Sequence, residues 1–293
     1  MEILFFTYPL ATVLIFVVAL GIGIYLTRRF QLPWRLYFIG GAVFILSQVF
    51  HLPFNAYVLP ALSRAGILPS DLGAWTLPFW AVIYGLSAGI FEEGGRYLMY
   101  RFWTKSARWW GQGLLLGAGH GGMEAIIVAL LGLNVYIQMV VLRGMDIAAV
   151  VPPERLASVE QLFQTYWNSP WYDSFLSFIE RLFTIPVHIA LSVIVLQVYT
   201  RKQIRWLFLA IIWHTLLNAV GAVYVANTYG IYAAEAVIGL FSVLSIGIIL
   251  VLRQPAPAPN PEEALPPSPG VRAFVPPAVE ETEEKLDSTR FSH

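Results

Sequence analysis

Long apolar runs separated by short polar breaks set the rhythm of this chain. Seven of them, at about 3–26, 36–58, 74–95, 112–134, 176–200, 205–226 and 230–252, reach the roughly 20 residues that a helix needs to cross a bilayer. The pattern predicts an all-α fold, a polytopic membrane helix bundle with about seven or eight transmembrane helices. The breaks alternate in charge. Arg28, Arg29 and Arg35 follow the first run, Arg101, Lys105 and Arg108 the third, and Arg201, Lys202 and Arg205 the fifth. The second run is followed only by Arg64 against Asp71, and no basic residue separates the sixth from the seventh. Basic loops stay cytoplasmic, so the N-terminus is expected outside and the C-terminus inside. The first run lacks a basic leading segment and a small-residue cleavage site, and arginines follow it. It reads as a retained first helix.

Residues 135–173 form the longest connection expected on the outer side. It begins apolar (VYIQMVVL), turns polar around Pro152, Pro153, Glu154 and Arg155, and carries Tyr166, Trp167, Trp171 and Tyr172 before the fifth run. Amphipathic rings of this kind sit at headgroup depth. The segment reads as a helix lying on the outer surface, or as a lid over a substrate opening. Beyond Gln254 the chain becomes rich in proline and glutamate with few apolar residues, a composition expected to be disordered. Two regions follow: a helical membrane domain at 1–254 that carries the site, and a cytoplasmic tail at 255–293. There is no internal repeat.

Composition narrows the functional classes. Of the 293 residues 57% are hydrophobic and only 12% charged, with mean hydropathy +0.65. A soluble domain carries about 25% charged residues. The formal net charge is zero, which argues against nucleic acid as a partner and leaves the lipid bilayer as the evident one. The chain has no cysteine, so disulfides, thiolate nucleophiles and Cys-ligated zinc are excluded. Any metal must be held by histidine and carboxylate.

The polar residues inside the apolar runs are the candidate chemistry. Each ionisable group there costs about 2.5–3.5 kcal/mol on insertion scales. In FEEGGR, Glu92 and Arg96 are four apart and share a helix face, while Glu93 is a second, adjacent carboxylate. The pair alone could be an interfacial ion pair ending a helix. His120 and Glu124 are also four apart, flanked by Gly117, Gly119, Gly121 and Gly122, small residues that let a neighbouring helix come close. A plain His–Glu hydrogen bond is the structural alternative. In ERLFTIPVH, Thr184 and His188 share a face with Arg181 one turn away, and Pro186 predicts a kink. Glu180 and Arg181 are expected near the outer end or in a solvated cavity. In HTLLN, His214 and Asn218 are four apart, and the asparagine amide can donate to an oxyanion or orient the histidine.

Each signal is weak alone. Taken together, His120, His188 and His214 lie within apolar runs, whereas His51, which ends a run beside Leu52 and Pro53, and the terminal His293 read as incidental. Five ionisable side chains facing lipid separately would be costly, so His120, His188, His214, Glu92 and Glu124 are expected to group around one hydrated cavity able to admit an unwound peptide. Three histidines with glutamates suit a catalytic zinc ion, or another divalent metal, with a position left for water. His120, Glu124, His188 and His214 are the candidate ligands. The same inventory suits a metal-free site in which a glutamate activates water directly.

The order of motifs, EExxR at Glu92–Arg96, the glycine-flanked His120 and HxxxN at His214–Asn218, resembles the superfamily of CAAX prenyl proteases, ABI proteins and PrsW proteases. GHGGMEA and ERLFTIPVH between them are similar to the YhfC family of intramembrane metalloproteases. The likeness covers about residues 74–226. It implies an endopeptidase acting on a membrane-embedded peptide or protein substrate in the bacterial plasma membrane. Glu92 would activate the attacking water, with Glu93 and Arg96 supporting it. His120 would ligate metal or water, and His214 with Asn218 would complete the site or stabilise the oxyanion. CAAX proteases place three residues between EE and Arg, where this chain has two, so Arg96 need not play the same part. No prenylated substrate is implied. The competing class is a non-catalytic membrane protein of the same fold, either an immunity-type binding protein or a proton or metal transporter using the His/Glu cluster. A transporter usually shows repeated halves, which this sequence lacks.

Overall fold

The computed structural model describes residues 2–71, 73 and 75–256, and every regular element among them is helical. α1 covers Leu4–Phe30 and α2 Trp34–Pro53. A π-helical segment, Phe54–Val58, leads into α3, Leu59–Arg64. α4 is Leu77–Leu98 and passes into a second π-helical segment, Met99–Trp103. α5 is Trp110–Arg143, followed by the short α6, Ile147–Val150, and by α7, Pro153–Asn168. A 3-10 turn, Trp171–Phe175, opens α8, Leu176–Thr200. α9, Arg205–Leu216, continues through a third π-helical segment, Leu217–Val225, into α10, Ala226–Tyr229, and α11 is Ile231–Val251.

Among the described residues six helical stretches are long and apolar enough to cross a bilayer: Leu4–Phe30, Arg35–Arg64, Trp110–Arg143, Trp171–Thr200, Arg205–Tyr229 and Ile231–Val251. The seventh expected run forms α4. Its 22 residues span about 33 Å at the helical rise, but Glu92, Glu93 and Arg96 make it the least apolar. The protein is an integral membrane protein built as a helical bundle. One boundary differs from expectation: VYIQMVVL, read as the start of a connection, continues α5 to Arg143, because no proline interrupts the helix before Gly144. The helix expected beyond it is α7. Its Trp167 is buried with Leu4 and Met139 and stacks on Phe5. The tail expected at 255–293 lies, from residue 257 onward, outside the described residues.

α8 is the innermost helix. Every residue from Val187 to Val198 is buried, as befits a helix that is apolar on all sides. It continues through Pro186 without ending. α5 packs against α1, α2 and α8, and its glycines set the closeness. A Cβ at Gly119 would collide with the Tyr37 backbone of α2, and one at Gly40 with the Leu116 carbonyl of α5. On the other side, a Cβ at Gly117 would meet Ile189 Cα at 2.6 Å, and one at Gly121 would meet His188 Cβ at 3.0 Å. Small residues thus bring α2, α5 and α8 nearly into backbone contact, and they do so at the level of His120 and His188.

Candidate active site

Four helices converge here, and each contributes ionisable side chains that are almost entirely buried. α4 supplies Glu92, Glu93 and Arg96, α5 His120, α8 Arg181 and His188, and α9 His214. Glu124 of α5 is partly open. The three imidazoles are neighbours: ring centroids lie 5.3 Å apart for His120 and His188, and 5.8 Å for His188 and His214.

The two adjacent glutamates point about 100° apart around α4 and take different partners. Glu92 Oε2 lies 3.0 Å from His120 Nε2 and 4.0 Å from His214 Nε2. Its Oε1 accepts a hydrogen bond from Gln48 Nε2 at 3.0 Å. Glu93 Oε1 accepts from His214 Nδ1 at 2.8 Å and pairs with Arg96. The pairing of Arg96 with Glu92 suggested by the four-residue spacing does not form, because the guanidinium turns to the carboxylate three residues away. Its other nitrogen donates to His188 Nδ1 at 2.8 Å. His188 Nε2 in turn lies 2.5 Å from Glu124 Oε2. Arg181, expected near the outer end or in a solvated cavity, is buried yet lines a small cavity; it donates to Glu124 Oε1 at 2.5 Å and pairs with Glu180.

Of these side chains Glu92, Glu124, Glu180, Arg181, His188 and His214, with Thr184 and Asn218, line a cavity of about 80 Å³. That volume suits a few water molecules and is too small for the unwound peptide expected from the sequence. Asn218 stands on the cavity wall, and no hydrogen bond joins it to His214 among the described residues. Glu93 orients His214 instead.

The donors suit a metal ion. Glu92, His120 and His188 each offer one ligand atom, and these atoms lie within 4.8 Å of one another. His214 has its Nδ1 fixed by a carboxylate, the arrangement that orients metal-bound imidazoles. Among the described residues Glu92, Glu93, Glu124 and Glu180 face only two guanidiniums, those of Arg96 and Arg181, an excess of formal negative charge that a divalent cation would offset. The buried His120 Nδ1 and Glu93 Oε2 have no hydrogen-bond partner among the described residues. His120 Nε2 faces Glu92 Oε2 and His188 Nε2 faces Glu124 Oε2, so a bound divalent ion would displace the hydrogens between these pairs.

The sequence reading missed one part of the site. His51, set aside as incidental, is joined to Glu92 through Gln48. Gln48, His51 and Asn55 recur at spacings of three and four, one face of α2 and its π-helical extension, and that periodicity was the available signal.

A family model described as YhfC intramembrane metalloprotease matches residues 13–241. This is wider than the 74–226 that carry the motifs. The uncharacterized membrane protein YhfC of Bacillus subtilis (strain 168) is 32% identical over 245 residues, covering 79% of this chain and 89% of that protein. No solved structure matches.

Proposed function

This chain belongs to the YhfC intramembrane metalloprotease family, and from that premise we propose that it is an endopeptidase that hydrolyses peptide bonds within or beside the bilayer. The observation that carries the reading is the position of Glu92: buried, at 3.0 Å from His120, and facing a water-sized cavity bordered by His188 and His214. A carboxylate held there by fixed donors is placed to take a proton from an attacking water and to return it to the leaving amine.

The residues divide the work. His120, His188 and His214, with Glu124 beside them, would hold a zinc-class ion, which supplies Lewis acidity toward the scissile carbonyl and the water. Glu93 keeps the His214 ring turned with Nε2 toward Glu92 and balances the charge of Arg96. Arg96 ties α4 to His188, so the base and the imidazoles move as one body. Asn218, on the cavity wall, offers an amide donor for the developing oxyanion. The closely packed side chains admit water but not a peptide, so substrate reaches Glu92 only when neighbouring helices separate. The basic connections at 28–35, 101–108 and 201–205 support a topology with the N-terminus outside and the C-terminus in the cytoplasm.

The test is a comparison of membranes containing wild type or Glu92→Gln by profiling of newly formed protein N-termini. Termini that appear with wild type and vanish with Glu92→Gln are the expected result. Identical profiles would overturn the proposal.

A further inference from the structure

α2 carries a row of polar side chains toward Glu92 that the site described so far does not use. Gln48 Nε2 lies 3.0 Å from Glu92 Oε1, Gln48 Oε1 lies 3.1 Å from His51 Nδ1, and His51 Nε2 lies 3.0 Å from Asn55 Nδ2. Ser87, a buried residue of α4, lies 3.2 Å from His51 Nε2 and donates to Asn55 Oδ1 at 3.0 Å. The row therefore runs from α4 across to α2 and back to the carboxylate on α4.

The direction of each bond follows from what each atom is able to do. A carboxylate oxygen accepts, so the Gln48 NH2 must face Glu92. The Gln48 carbonyl then faces His51, and His51 Nδ1 must carry a hydrogen. Neutral His51 consequently has a lone pair on Nε2, which accepts from the Asn55 NH2, while the single Ser87 hydroxyl hydrogen goes to Asn55 Oδ1. All donors point the same way, and the last acceptor is Glu92. Amides do not hand protons along as a water chain does, so the row is a fixed set of dipoles rather than a proton path.

We propose that Gln48 and His51 are positioning residues for Glu92: the row Ser87–Asn55–His51–Gln48 pins Oε1 of the carboxylate and keeps Oε2 aimed at His120 and the cavity. This rests on the reading of Glu92 as the base and supplies what that reading needs, a carboxylate prevented from rotating. Stability alone does not explain the row. His51 and Asn55 are half-exposed on a membrane helix, and replacing both partners of a hydrogen bond by apolar groups is often neutral or favourable. Four polar side chains that satisfy one another and end on one oxygen of Glu92 are better explained by the orientation they impose.

The test uses the full chain in nanodiscs with ¹⁵N-labelled histidine, the His51 signal being assigned by its loss in His51→Gln. Wild type is expected to show neutral His51 protonated at Nδ1, and Gln48→Met, which keeps the size but not the amide, to lose that preference. In the same preparations the infrared carboxylate band removed by Glu92→Gln should shift in Gln48→Met, and cleavage of wild-type-dependent substrates should fall about 100-fold, the cost of a misplaced reacting group. His51 protonated at Nε2 in wild type would overturn the proposal whatever the activity. Gln48→Met cleaving like wild type while Glu92→Gln is inactive would overturn the positioning role and leave the protease reading standing. If Glu92→Gln changes no cleavage, the protease reading fails by itself, and the tautomer and the infrared band still decide whether Gln48 holds Glu92.

Discussion

His214 Nδ1 donates to Glu93 Oε1 across 2.8 Å, a bond that joins α9 to α4 and turns the other ring nitrogen of His214 toward Glu92. One carboxylate of the adjacent pair thus orients an imidazole while the other faces the cavity. The two glutamates are neighbours in sequence and separate in task.

Removing Glu93 should be costly. Glu93→Ala strands the Arg96 guanidinium, which is 1% exposed, and the loss of one partner from a buried pair destabilises by about 3–5 kcal/mol. Glu93→Gln keeps an acceptor for His214 but not the charge, and should fall between the two. Thermal unfolding in detergent checks the order: wild type above Glu93→Gln above Glu93→Ala.

The packing of α2 on α5 yields a second prediction. A methyl group at Gly119 meets the Tyr37 backbone, which has no freedom to swing aside. Gly119→Ala should therefore destabilise by about 1–3 kcal/mol and displace His120 from Glu92. Gly132, on the same helix, has nothing within 4 Å of an added Cβ. Gly132→Ala should be neutral or stabilising by roughly 0.5–1 kcal/mol. Paired melting curves of the two variants make the comparison, and an equal effect would contradict the close approach.

Much of the site was legible because ionisable groups are conspicuous in apolar runs. His120, His188 and His214 stood out for that reason, and the structure places their rings side by side. The sharing of partners was not legible. Spacing alone paired Arg96 with Glu92, but the choice between Glu92 and Glu93 depends on which helix faces each side of α4, and that is a tertiary fact. His51 was hidden for the same reason. It ends its run beside Leu52 and Pro53, and its link to Glu92 exists only once α2 and α4 lie together. The apolar run sets only a minimum length for α5, and the helix itself continues to Arg143, next to Gly144.

Topology supplies a third prediction. The chain has no cysteine, so single cysteines report cleanly. Arg29→Cys and Lys105→Cys should react with an impermeant maleimide only after the membrane is opened. Labelling of either in intact cells would reverse the orientation drawn from the basic connections.

The most direct measurement is the metal content of the purified protein, determined by mass spectrometry together with Glu92→Gln and the three single variants His120→Ala, His188→Ala and His214→Ala. If the three imidazoles hold the ion and Glu92 is the base beside it, wild type and Glu92→Gln each carry about one zinc-class ion per chain, as a single catalytic site requires. Each histidine variant then loses most of it. Wild type without bound metal after loading with zinc, or histidine variants that retain it in full, would contradict this arrangement.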